Sequence, residues 1–124
     1  MYGFGKFLLI NDTDVDTGTE YTSSVDVKNL PVISAHIYAT ANMVVTAWGT
    51  VQPASGDPDY DGTAESWVDI TKAFTDLNSG VASSGSVTNT TAILQANGLC
   101  INRIRFKLEA GADNQTARIW LARM

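Results

Sequence analysis

Leu99-Cys100-Ile101-Asn102-Arg103-Ile104-Arg105-Phe106-Lys107-Leu108-Glu109 is the stretch whose reading decides the fold. Cys100, Ile104, Phe106 and Leu108 share one parity, and Arg103, Arg105, Lys107 and Glu109 take the other. Alternation with period two is the signature of a strand with one face in a core and one in solvent or at an interface. On this reading Cys100 is a small buried hydrophobe. The segment 115–123 repeats the device, with Ala117, Ile119 and Leu121 opposite Arg118 and Trp120. Gly111-Ala112-Asp113-Asn114 lies between the two and has turn chemistry, so the pair is expected to form a hairpin.

The same pattern runs outward along the chain. Short apolar runs and alternations are separated by Gly, Asp, Asn and Pro clusters, and no long stretch keeps a helical period. Strands are predicted at 5–10, 22–28, 32–39, 43–52, 65–70, 86–95, 99–109 and 115–123. About eight strands with turns between them are the pattern of an all-β sandwich or barrel, and an antiparallel β-sandwich is the form expected. Segment 43–52 is apolar on both faces, as expected of a strand central in a sheet or covered by another subunit. Ile70, Phe74 and Leu77 fit either a short helix or irregular strand, and 77–86 and 52–63 read as loops.

All 124 residues form one domain, long enough to fold without staples. Charged residues are 17% of the chain and hydrophobic ones 44%, which excludes a disordered tail or a highly charged nucleic-acid binder. The single cysteine excludes an intramolecular disulfide and a cysteine-based zinc site. Phe7-Leu8-Leu9-Ile10 is too short for a signal peptide and reads as a strand, and no segment has the length to span a membrane. The net charge of −5 is uneven: residues 1–80 hold 11 acidic and 3 basic side chains, and residues 81–124 hold 2 and 5. That asymmetry fits association between copies or with another protein better than with DNA.

Asp57-Pro58-Asp59-Tyr60-Asp61-Gly62 resembles the start of a calcium loop, with Glu65 at the ninth position. Val68 stands where the bidentate glutamate belongs, so a solvated turn competes with a calcium site. The run Asp12, Asp14, Asp16, Glu20 matches less well and reads as a charged connector between the first two strands. His36, the only histidine, sits mid-strand without a nucleophile motif, and no phosphate-binding glycine pattern occurs. The reading is non-enzymatic, with no cofactor beyond that calcium. Arg103, Arg105, Lys107 and Arg118 form a basic comb suited to an acidic protein partner, with a solvated face as the plainer account. Trp48, Trp67 and Trp120 form either a sugar-stacking platform or core and interface packing.

Three stretches carry a family likeness: Val44-Val45-Thr46-Ala47-Trp48-Gly49-Thr50-Val51, then Asp61-Gly62-Thr63-Ala64-Glu65-Ser66-Trp67-Val68-Asp69-Ile70, then Ile101 to Leu108. Over residues 43–123 the chain resembles the capsid decoration (cement) proteins of tailed bacteriophages. The resemblance implies a jelly-roll-like sandwich that forms a homotrimer on the outer capsid surface of the virion, made in the host cytoplasm. It would stabilise the head by bridging major capsid proteins, without nucleic acid or membrane as partner. Tyr2 and Phe4, on the glycine-rich segment 1–6, are candidates for an anchoring arm, and Trp48, Arg103, Arg105, Lys107, Arg118 and Trp120 for the capsid or subunit interface. The alternatives are a carbohydrate- or receptor-binding module of a tail fibre and a head or tail completion protein.

Overall fold

The computed structural model describes residues 5–28, 30–53, 55, 56, 58 and 66–123. Eleven strands follow in order among them: β1 Gly5–Val15, β2 Gly18–Tyr21, β3 Val25–Asp26, β4 Val32–Ala39, β5 Met43–Thr50, β6 Val68–Asp69, β7 Thr75–Asp76, β8 Val81–Ala82, β9 Thr90–Asn97, β10 Arg103–Ala110 and β11 Gln115–Arg123. A 3₁₀ turn covers Thr71–Ala73. The strands make a six-stranded sheet in the order β1-β11-β4-β9-β7-β8 and a five-stranded sheet in the order β2-β10-β5-β6, with β3 also on β10. All pairings are antiparallel.

Four pairs are nested in the sequence: β1 with β11, β2 with β10, β4 with β9, β5 with β6. Successive pairs fall in alternate sheets, as when a double ribbon is rolled up, and this is the jelly-roll order. The antiparallel sandwich read from the sequence is therefore what the chain forms. Alternation does its work as expected. Ile33, Ile37, Leu94, Ile119 and Leu121 from one sheet meet Val45, Ala47, Ile104, Phe106 and Leu108 from the other in one buried core.

Several expectations are corrected. The strands holding Arg103–Glu109 and Ala117–Leu121 do not form a hairpin: β10 lies in the five-stranded sheet and β11 in the six-stranded one. Gly111–Asn114 is a corner between sheets, with Asn114 at φ 61. Such a corner uses the same turn residues as a hairpin, so composition could not separate them. Cys100 is exposed, because β10 begins only at Arg103 and the preceding residues leave the alternation. β1 continues to Val15, so Asp12 and Asp14 belong to the strand and not to a connector. Of the predicted strand 22–28 only Val25–Asp26 forms a strand, β3; β2 lies before it at Gly18–Tyr21, and β8 interrupts the predicted loop 77–86. Ile70 to Leu77 is not the helix that the spacing of Ile70, Phe74 and Leu77 allowed: only Thr71–Ala73 turns, as 3₁₀, and Thr75–Asp76 form the short β7.

Three chain crossings between the sheets meet at one end of the sandwich. The Gly111 N–H donates to Asn42 O at 2.8 Å, tying the β10–β11 corner to the β4–β5 turn. The Thr17 N–H and hydroxyl donate to Asp113 Oδ1 at 3.0 and 2.9 Å, tying in the β1–β2 turn. These bonds, the backbone one first, hold the Asp113 carboxyl below its ordinary value of 3.8. Their stabilising effect is present above the unfolded-state value and is lost as pH falls through the lower folded-state value. Thr17→Ala should move the Asp113 midpoint part of the way back, since the backbone donor remains. An NMR titration of the carboxyl carbon checks it, and an unmoved midpoint would exclude the hydroxyl as a cause.

Candidate protein-binding faces

Each sheet turns an outer face to solvent, and the interface candidates divide between them. On the six-stranded sheet, register places Leu8 beside Trp120, Trp120 beside His36, and His36 beside Ile93. The row crosses four strands in a straight line. Leu77 extends it, donating its N–H to Ile93 O at 2.9 Å. Leu8 is 40% exposed, Trp120 51%, Ile93 41% and Leu77 47%. A row of apolar side chains aligned across neighbouring strands in this way differs from hydrophobics scattered singly over a surface. Its rim is polar: Arg118 stacks 5.3 Å from the Tyr38 ring centroid, and its Nε donates to Asn11 Oδ1 at 2.9 Å. His36, Tyr38, Thr91, Arg118 and Trp120 line a shallow depression of about 230 Å³.

The outer face of the five-stranded sheet carries Arg103, Arg105 and Lys107 of the basic comb. β10 brings them into one line, and rings from three other segments cover them. The Arg105 guanidinium lies 4.1 Å from the Tyr21 centroid and 4.2 Å from that of Trp67. Arg103 sits 5.3 Å from Trp67, and the Lys107 ammonium 5.3 Å from Trp48. Lys107 also pairs with Glu109 at 2.9 Å. That hydrogen bond, opposed by desolvation and aided by the Glu109 charge, raises the Lys107 pKa above 10.5. Trp48 is fixed by a bond from its Nε1 to Thr46 Oγ1 at 2.8 Å.

The three tryptophans do not form one platform. Trp48 and Trp67 lie over the basic comb, and Trp120 lies on the opposite sheet. Arg118 is likewise separated from the comb. His36 is exposed mid-strand, as expected of it. Tyr2 and Phe4 of the arm, and Asp57, Asp59, Asp61 and Glu65 of the calcium reading, lie outside the described residues. Gly5 and Lys6 belong to β1, where they pair with Arg123 and Ala122, so the arm reading retains only residues 1–4. In the other acidic run, Asp12 Oδ1 accepts the Asp14 N–H at 3.0 Å and Asp16 Oδ1 that of Asn114 at 3.4 Å. Among the described residues no three His, Cys, Asp or Glu side chains are placed to hold a metal ion. Tyr21 is the functional candidate that sequence reading missed. Its only signal is non-local, the pairing of Tyr21 with Lys107 across β2 and β10.

No family model and no curated protein matches the sequence. Among solved structures the chain is similar to the SPBc2 prophage-derived protein YomS, with a TM-score of 0.63 at 8% identity, over 97% of this chain and 92% of that one. At that identity the likeness is one of fold, and it spans nearly the whole of both chains.

Proposed function

We propose that this chain is a structural protein of a phage particle, a decoration protein that caps the head and bridges major capsid proteins as a homotrimer. The observation that carries the reading is the aligned row Leu8–Trp120–His36–Ile93. A flat, aromatic-centred, polar-rimmed row is the form of a protein contact, and symmetric copies would multiply its effect on a lattice. The jelly-roll order recurs in capsid proteins, and the fold is shared with a prophage-derived protein. Both support the reading by analogy.

The decisive experiment is co-sedimentation with heads assembled from the major capsid protein of the same genome, with light scattering on the free protein. Stoichiometric binding by a trimer is expected. Trp120→Ser should weaken attachment by about 2 kcal/mol or more, as loss of a central aromatic anchor does. Its folding stability should change by no more than about 0.5 kcal/mol, because the ring is already half in water. Full-strength binding by the variant, or no binding by the parent, would sink the proposal. One observation favours a second reading, a glycan- or receptor-binding module: the depression beside Trp120 offers a flat ring next to His36, Tyr38 and Arg118. Specific retention on a glycan array would select it.

A further inference from the structure

The comb on the five-stranded sheet has chemistry of its own. The planar guanidinium of Arg105 lies 4.1 Å from the Tyr21 ring centroid and 4.2 Å from that of Trp67, rings that reach it from β2 on one flank of β10 and from the segment leading into β6 on the other. A cation stacked in this way keeps only its in-plane N–H edge for hydrogen bonding. The Arg105 Nε is buried without an acceptor among the described residues. Among the described residues, two carboxylates of this sheet already have partners. Glu109 pairs with Lys107, and Asp69 Oδ1 accepts both the backbone N–H and the hydroxyl of Thr71, at 2.9 and 2.7 Å.

We propose that Arg105, clamped between Tyr21 and Trp67, is a receptor for a carboxylate in an acidic segment of a protein partner, with Arg103 and Lys107 supplying the flanking field. Carboxylate geometry matches the guanidinium edge, and two parallel N–H···O bonds to a partly desolvated, pre-oriented cation are the strong form of this contact. Stacking removes the usual cost of ordering an arginine before it binds. Single-stranded nucleic acid is the less favoured occupant. The Tyr21 and Trp67 rings already lie against the guanidinium, which leaves them less free to stack on bases, and a chain of net charge −5 repels a phosphate backbone. The site does not depend on the head-surface reading, because an acidic segment of any protein satisfies it.

The test is an NMR titration of the ¹⁵N-labelled full chain, following the Arg105 Nε–Hε resonance. The probes are a short synthetic peptide of alternating Glu and Ser, its Gln counterpart, and a thymidine oligonucleotide. The Glu peptide is expected to shift the resonance saturably, and the Gln peptide to leave it in place. Arg105→Lys, with its backbone amide spectrum preserved, should bind the Glu peptide about ten-fold more weakly, since an ammonium forms no bidentate pair. Equal shifts from the Glu and Gln peptides would overturn the proposal in the parent protein alone, whatever the variant does. Undiminished binding by Arg105→Lys, or tighter binding of the oligonucleotide, would overturn it too.

Discussion

Replacing Phe106 by alanine is expected to cost about 3–5 kcal/mol of folding stability. The ring is fully buried in the middle of β10 and faces the opposing sheet. In register it stands beside Ala47 of β5, a side chain too small to expand into the vacated space. The backbone there is held on its other edge, where the Thr22 N–H donates to Phe106 O at 2.9 Å and Thr22 Oγ1 accepts the Phe106 N–H at 3.0 Å. Local collapse is therefore resisted, and the cavity should persist. Urea unfolding should show a lower midpoint at an unchanged slope. Phe106→Leu serves as the control and should lose less than half as much. A loss below about 1 kcal/mol in the alanine variant would mean that the ring is not where the sheets meet.

The second large effect is expected at Thr71, and its cause is a missing stretch of strand. β6 supplies only Val68 and Asp69 to pair with β5, and the chain then turns away. Ala47 is left beside the turn with both backbone groups to satisfy. The Ile70 N–H donates to Ala47 O at 2.8 Å, and Thr71 Oγ1 accepts the Ala47 N–H at the same distance. The hydroxyl proton goes to Asp69 Oδ1. Thr71 is 1% exposed, so no water replaces it. Thr71→Val keeps the shape and removes the acceptor, leaving a buried N–H unpaired at a cost of about 1–3 kcal/mol. Thr71→Ser should retain most of the stability. Equal behaviour of the valine and serine variants in thermal unfolding would show that the hydroxyl does nothing there. The same turn follows directly on the strand that Trp67 leads into, so the valine variant should also loosen the ring over Arg105.

Period two in 103–109 and 117–121 was enough to read which side chains face the core, because facing is a local property of a strand. Sheet membership is not local. β11 could have followed β10 in the same sheet with no change in either pattern, and the corner that carries it across is tied by the Gly111 N–H to Asn42 O and by the Thr17 N–H to Asp113. Cys100 shows the complementary limit: parity was extended past the point where the backbone stops being extended. The basic comb was legible as a line of charges, yet the clamp on Arg105 was not. One of its rings comes from a strand of only four residues and the other from the residue before a strand of two. Neither carries a periodic signal. The row through Trp120 needed the registers of three strand pairs, which no single segment encodes.

The place of β11 between β1 and β4 has a consequence for how the molecule is made. Synthesis runs from the first strand to the last, and about one hundred residues separate Val15 from Gln115. Throughout that interval β1 has no partner and β4 has an open flank, since the strand that satisfies both does not yet exist. A ribosome-bound chain therefore displays two unpaired edges, the features that recruit other chains into aggregates. Completion of the six-stranded sheet is then a single late insertion, closing the longest loop in the molecule, and belongs to the slow regime of β topologies. Yield in a heterologous host should depend more on keeping the growing chain apart from its neighbours than on the stability of the finished sandwich.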